Sequence, residues 1–140
     1  MKKLIFLVLF IPSLCLAQEK VHWNTMVVFN DTIKFNELVS KLAQEGFGIQ
    51  YANEQAGVIT SSPKKIKRCS IVLNIARTGK TITINGNWDS GTSFYLLSTS
   101  TKLQDQIEFR GMDNSLAMNS WEAMLKFANS IGGFVQFEKR

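Results

Sequence analysis

From Cys69 to Trp88 the chain alternates apolar and polar residues almost without a break. Cys69, Ile71, Leu73 and Ile75 interleave with Ser70, Val72, Asn74 and Ala76. Beyond Thr78-Gly79, Ile82, Ile84 and Trp88 interleave with Thr81, Thr83, Asn85 and Asn87. A period of two sends alternate side chains to opposite faces of a strand, so these two runs form a hairpin with one buried and one wet face. The wet face carries Thr and Asn in a row. Whatever else the chain contains must cover the other side.

Two helices are available to do so. Phe35, Leu38, Val39 and Leu42 fall at i, i+3, i+4 and i+7, with Lys34, Glu37, Lys41 and Gln44 turned away. Asn30-Asp31-Thr32 offers N-cap residues before this run and Gly46 a stop after it, which predicts a helix over about residues 33–45. Asp113-Asn114-Ser115 again offers caps, and Ala117, Trp121, Met124, Leu125 and Ala128 share a second helical face that ends at Gly132-Gly133. Thr25–Phe29, Ile49–Ala52, Gly57–Ser61, Ile107–Arg110 and Phe134–Phe137 are expected as further strands. Residues 89–106 carry no clear period, and Phe94-Tyr95-Leu96-Leu97 fits a strand or a packed loop. Strands joined by short turns are antiparallel. The expected fold is therefore α+β: a two-layer sandwich with a mostly antiparallel sheet and two helices packed on one face.

Residues 1–17 have the layout of a cleavable signal peptide. Lys2 and Lys3 precede an apolar stretch from Leu4 to Leu16, and Cys15-Leu16-Ala17 predicts a cut before Gln18. Residues 18–24 are expected as a polar lead-in, and 25–140 as a single domain. Cleavage removes two lysines and leaves 14 basic against 11 acidic side chains, a net charge of +3. An exported chain of this modest charge is expected to work in the periplasm or outside the cell, with no nucleic acid as partner. Of the two cysteines only Cys69 remains, so an internal disulfide is excluded and the domain must stand on its core. The alternation turns Cys69 inward.

The helix ending in Glu45-Gly46-Phe47, the short Gly57-Val58-Ile59-Thr60-Ser61, the long hairpin and the late helix around Trp121 resemble secreted bacterial domains of unknown function with a TATA-box-binding-protein-like, helix-grip fold. They are similar in outline to the modules of the outer-membrane assembly lipoprotein BamC. The resemblance covers most of residues 25–137. It implies a helix-grip sheet and a place in the bacterial envelope, and it brings no site residues with it.

Catalytic constellations are sparse. One histidine, His22, and one cysteine fall short of the ligands that a zinc site needs, and no Gly-rich phosphate loop is present, so no cofactor or metal is expected. His22 is expected to be solvated. Asp89, Asp105, Glu108 and Asp113 could supply a pair of carboxylates for hydrolysis. Two surfaces could meet a partner instead. Lys64, Lys65, Lys67 and Arg68 form a dense basic loop suited to an acidic partner or to weak, salt-sensitive contact with a membrane surface. Removing all four charges is expected to leave the melting temperature nearly unchanged. Thr81, Thr83, Asn85 and Asn87, with Ser70 and Asn74, form a flat polar face suited to a protein or glycan. The expected function is thus an exported, non-catalytic binding or assembly module whose partner is an envelope protein or glycan. A carboxylate hydrolase and a carrier of an apolar ligand held between helices and sheet are the alternatives.

Overall fold

A computed structural model describes residues 22–96 and 99–140, and their side chains outside 92–103. The chain order is β1 (Thr25–Phe29), α1 (Phe35–Gln44), β2 (Ile49–Asn53), β3 (Val58–Ser61), β4 (Lys64–Ile66), β5 (Cys69–Thr78), β6 (Thr81–Leu96), β7 (Thr99–Gln106), α2 (Leu116–Ile131) and β8 (Phe134–Glu138). The eight strands form one antiparallel sheet, and both helices lie on the same face of it. The α+β sandwich expected from the alternation is what the chain adopts. The signal-peptide residues 1–17, lead-in residues 18–21 and Leu97 lie outside the described residues.

The alternation sorts the layers as its period demands. Ile71, Leu73 and Ile75 of β5 and Ile82 and Ile84 of β6 turn toward Leu38 and Leu42 of α1 and Met124 and Phe127 of α2, all at or near zero exposure. This packing fills the helix–sheet interface with side chains.

Strands β5 and β6 are long enough to serve two sets of neighbours in succession. Near their shared turn they are flanked by β3 and β2 on one side and by β1 and β8 on the other. Farther along, β4 takes the place beside β5, and β7 the place beside β6. The exchange happens at one level. Leu73 N donates to the buried Ser61 Oγ (2.9 Å) where β3 leaves β5. Opposite Leu73, Gly86 O accepts from Ile107 N (2.9 Å) where β7 leaves β6.

Asn30 ties the first turn to the last helix. Its Oδ1 accepts from Thr32 N (2.9 Å) and Ile33 N (3.0 Å), ordering the approach to α1. Its Nδ2 donates to Ile131 O and Gly132 O, both at 3.0 Å, where α2 runs out of intrahelical donors. Asn30→Ala strips both ends at once, and its expected cost is about 2 kcal/mol, read from the midpoint of denaturant unfolding.

Three expectations are corrected. Lys64–Arg68 is not simply a loop: Lys64, Lys65 and Ile66 pair with Ile71, Ser70 and Cys69, so β4 and β5 form a tight hairpin turning at Lys67-Arg68. Residues 107–110 form no strand. Ile107 N and Phe109 N each make one backbone bond, to Gly86 O and Trp23 O, and the apolar alternation is spent on packing rather than on a ladder. The lead-in is structured at its end. Trp23 packs on Phe109 and Phe137 at ring distances of 5.2 and 5.5 Å, and buried Asn24 bonds both N and O of Arg140. Within the stretch 89–106, unassigned from its pattern, residues 89–96 continue β6 past a register shift between Asp89 and Ser93, and residues 99–106 form β7.

Candidate functional site

The strand register defines the face of the sheet that the helices leave uncovered. One row crosses it as Tyr51, Thr60, Asn74 and Asn85, and another as Val58, Ala76, Thr83, Val27 and Gln136. Beyond the exchange level the rows are Val72, Asn87 and Gln106, then Lys65, Ser70, Asp89 and Gln104. All of these last rows but Lys65 border a cleft of about 540 Å³, together with Pro63, Asn74, Trp88 and Asp105. A shallower depression of about 200 Å³ adjoins it, bordered by Thr60, Asn74, Thr83 and Asn85.

The polar side chains of the cleft are held to different degrees. Asp89 Oδ1 accepts from Gly91 N (2.7 Å) inside the register shift, which fixes the carboxylate. Gln106 Oε1 accepts from Asn24 Nδ2 (3.3 Å), and Asn74 Oδ1 accepts from Thr60 Oγ1 (3.3 Å). The side chains of Ser70, Asn87 and Gln104 bond to no described residue. Trp88 closes the cleft from the core side at 7% exposure, and its indole N–H has no partner among the described residues.

Of the sheet-face residues expected from the sequence, Thr81, Thr83, Asn85 and Asn87 all lie on the open face. Asn87 borders the larger cleft, Thr83 and Asn85 the smaller depression, and Thr81 neither. Asp89, Gln104 and Gln106 complete the cleft. Asp89 had a readable signal, since it continues the Asn85–Asn87 alternation, whereas Gln104 and Gln106 lie in a segment without a clear period.

The four cations do not act as one patch. Lys64 Nζ donates to Glu45 O at the end of α1 and sits 4.4 Å from the centroid of the Phe47 ring. Lys67 Nζ donates to Asn119 Oδ1 of α2 (2.7 Å). Lys65 and Arg68 are exposed. Exchanging all four therefore removes two tertiary ties, and the expectation of an unchanged melting temperature is withdrawn. Lys65 is the member that joins the open face, because its register partner is Ser70.

Two of the acidic residues, Asp89 and Asp105, border the cleft. Register pairs Asp105 with Trp88 and Gln104 with Asp89, so Asp105 and Asp89 project to opposite faces. Arg110 bridges Asp105 Oδ2 (2.7 Å) and Glu108 Oε2 (3.2 Å), and His22 Nδ1 lies 3.9 Å from the same Glu108 oxygen. Burial disfavours the Arg110 charge, but hydrogen bonds to the two carboxylates outweigh it and hold its pKa above the ordinary arginine value. His22 is thus half-buried beside a carboxylate rather than free in solvent, which corrects the solvated placement. Asp113 is exposed and outside this network.

Among the described residues no group of three or more His, Cys, Asp and Glu side chains is arranged to hold a metal ion, and no helix is long and apolar enough to cross a membrane. Cys69 is buried, with Sγ 3.4 Å from Ile66 O and 3.5 Å from Ser120 Oγ. Compared with known proteins, the chain matches no family model, no curated protein and no solved structure.

Proposed function

We propose that this domain is an exported binding module of the bacterial envelope, and that it engages its partner through the open face of its sheet. One observation carries the proposal: the face opposite the helices holds a cleft of about 540 Å³ edged by amide, hydroxyl and carboxylate groups. Such a volume and a few convergent polar groups suit specific binding. A polar sheet face exposed merely to water has no need of a cleft. Export is supported by the layout of residues 1–17. The resemblance to envelope assembly modules agrees with this role.

A photo-crosslinking residue at position 87 tests the site, with the same residue at Glu122 on the exposed side of α2 as the control. Irradiation of living cells is expected to give a discrete adduct from position 87 and none from 122. Adducts from 122 alone, or from neither, would overturn the assignment. Intact mass of the same exported protein is expected to begin at Gln18. A chain retaining Met1 or carrying lipid on Cys15 would refute the export reading.

A further inference from the structure

The chemistry of the cleft narrows the class of partner. The geometry points to a neutral, hydroxyl-rich glycan as its ligand, a proposal that rests on the open-face binding role above.

Three features support it. First, the cleft is lined by groups that both donate and accept. Ser70, Asn87 and Gln104 offer a hydroxyl and two amides with no partner among the described residues, and a planar amide can take one hydroxyl of a vicinal pair while donating to the next. Asp89 adds an acceptor already oriented by Gly91 N. Second, the charge disfavours an anion. Asp89 and Asp105 border the cleft, no residue bordering it is a cation, and Lys65 stands beside it in the row of Ser70. A phosphate or polyuronate would meet Asp89 without a matching cluster of cations. Third, an aromatic platform lies on the same face. Tyr51 is 51% exposed and its hydroxyl accepts from Asn53 Nδ2 (3.1 Å), which steadies the ring. It occupies the row of Asn74, two strands away, or about 10 Å. A run of sugar rings can span that interval, with C–H faces on Tyr51 and hydroxyls in the cleft.

A peptide partner fits less well. Strand addition would use the outer edge of β7, which pairs only with β6 among the described strands, whereas the cleft lies on the face of β5, β6 and β7. A protein hot spot needs an accessible apolar or aromatic pocket at its centre, whereas seven of the ten residues bordering this cleft are polar and its one aromatic, Trp88, is 7% exposed.

The test is an NMR titration of the domain with hexamers of N-acetylglucosamine and of β-1,4-linked glucose, alongside a hyaluronan hexamer as the acidic probe. A neutral hexamer is expected to shift the side-chain amide signals of Asn87 and Gln104, with little dependence on salt. Asn87→Ala and Gln104→Ala should each weaken binding about tenfold, the worth of one good hydrogen bond. Tyr51→Ala should weaken hexamers but not disaccharides. Both amides are exposed, so the variants should melt as the parent does. Binding of hyaluronan alone, or no shift with any probe at millimolar concentration, would overturn the glycan assignment. If position 87 still crosslinks to a protein in cells, the open-face role survives while the glycan falls. If it crosslinks to nothing, both fall.

Discussion

Trp121→Ala is expected to cost about 3–5 kcal/mol of stability, the range for large aromatic truncations in a core. Trp121 is 2% exposed and lies in a ring of aromatic contacts that draws on four separate segments. Its indole meets Phe109 at 5.9 Å and Phe137 at 5.5 Å, and both of those rings meet Trp23. Removing it leaves a void that backbone from α2, β8, the segment after β7 and the chain before β1 would all have to close. Denaturant unfolding at unchanged slope measures the effect. A loss below about 1 kcal/mol would mean that the quartet carries little of the fold.

Gly86→Val is the second large effect, expected at about 3 kcal/mol or more, the upper end of overpacking costs. A Cβ at this position would fall 2.4 Å from Val72 O, 3.0 Å from Ile107 Cδ1 and 3.1 Å from Leu73 Cδ2. The nearest of these is backbone, which cannot step aside without opening the β5–β6 ladder. Gly79 serves as the control. It has φ +60° in the turn with nothing within 4 Å of a new Cβ, so Gly79→Asn, a residue tolerant of that conformation, should cost far less. Equal losses at both positions would show that backbone freedom, not close approach, decides the matter. A thermal melt of the two variants side by side is sufficient.

Period was the most legible part of this chain. The alternation over Cys69–Trp88 and the helical faces of Leu38–Leu42 and Trp121–Ala128 led directly to two layers, because each period admits one way of burying its apolar set. The exchange of neighbours beside β5 and β6 was illegible, since a local period shows which face a residue takes but not which strand lies beside it. Gly86 marks that level, yet in the sequence it merely fills one apolar position of the alternation. The lysines show the same limit. Four cations in five positions look like one charged loop, but strand pairing turns Lys64 toward Phe47 and Lys65 toward the opposite face. The cleft was half legible: Asn87 followed from the alternation, while Gln104 and Gln106 sat in a segment whose period the register shift after Asp89 conceals.

The place of β1 in the sheet governs the order in which the protein can assemble. The β5–β6 hairpin closes over a short turn and can form as soon as its own residues are available. Strand β1 instead lies between β6 and β8, with Thr25 opposite Glu138 and Phe29 opposite Phe134. Strand β1 can pair with β6 alone, but its other edge is covered only when β8 arrives. Such pairings, distant in sequence, place folding toward the slow end for domains of this size. During that delay the hairpin is formed while the partners of β1 are incomplete, and unpaired strand edges in that interval invite aggregation. Until β8 docks, one edge of β1 stays open to another strand.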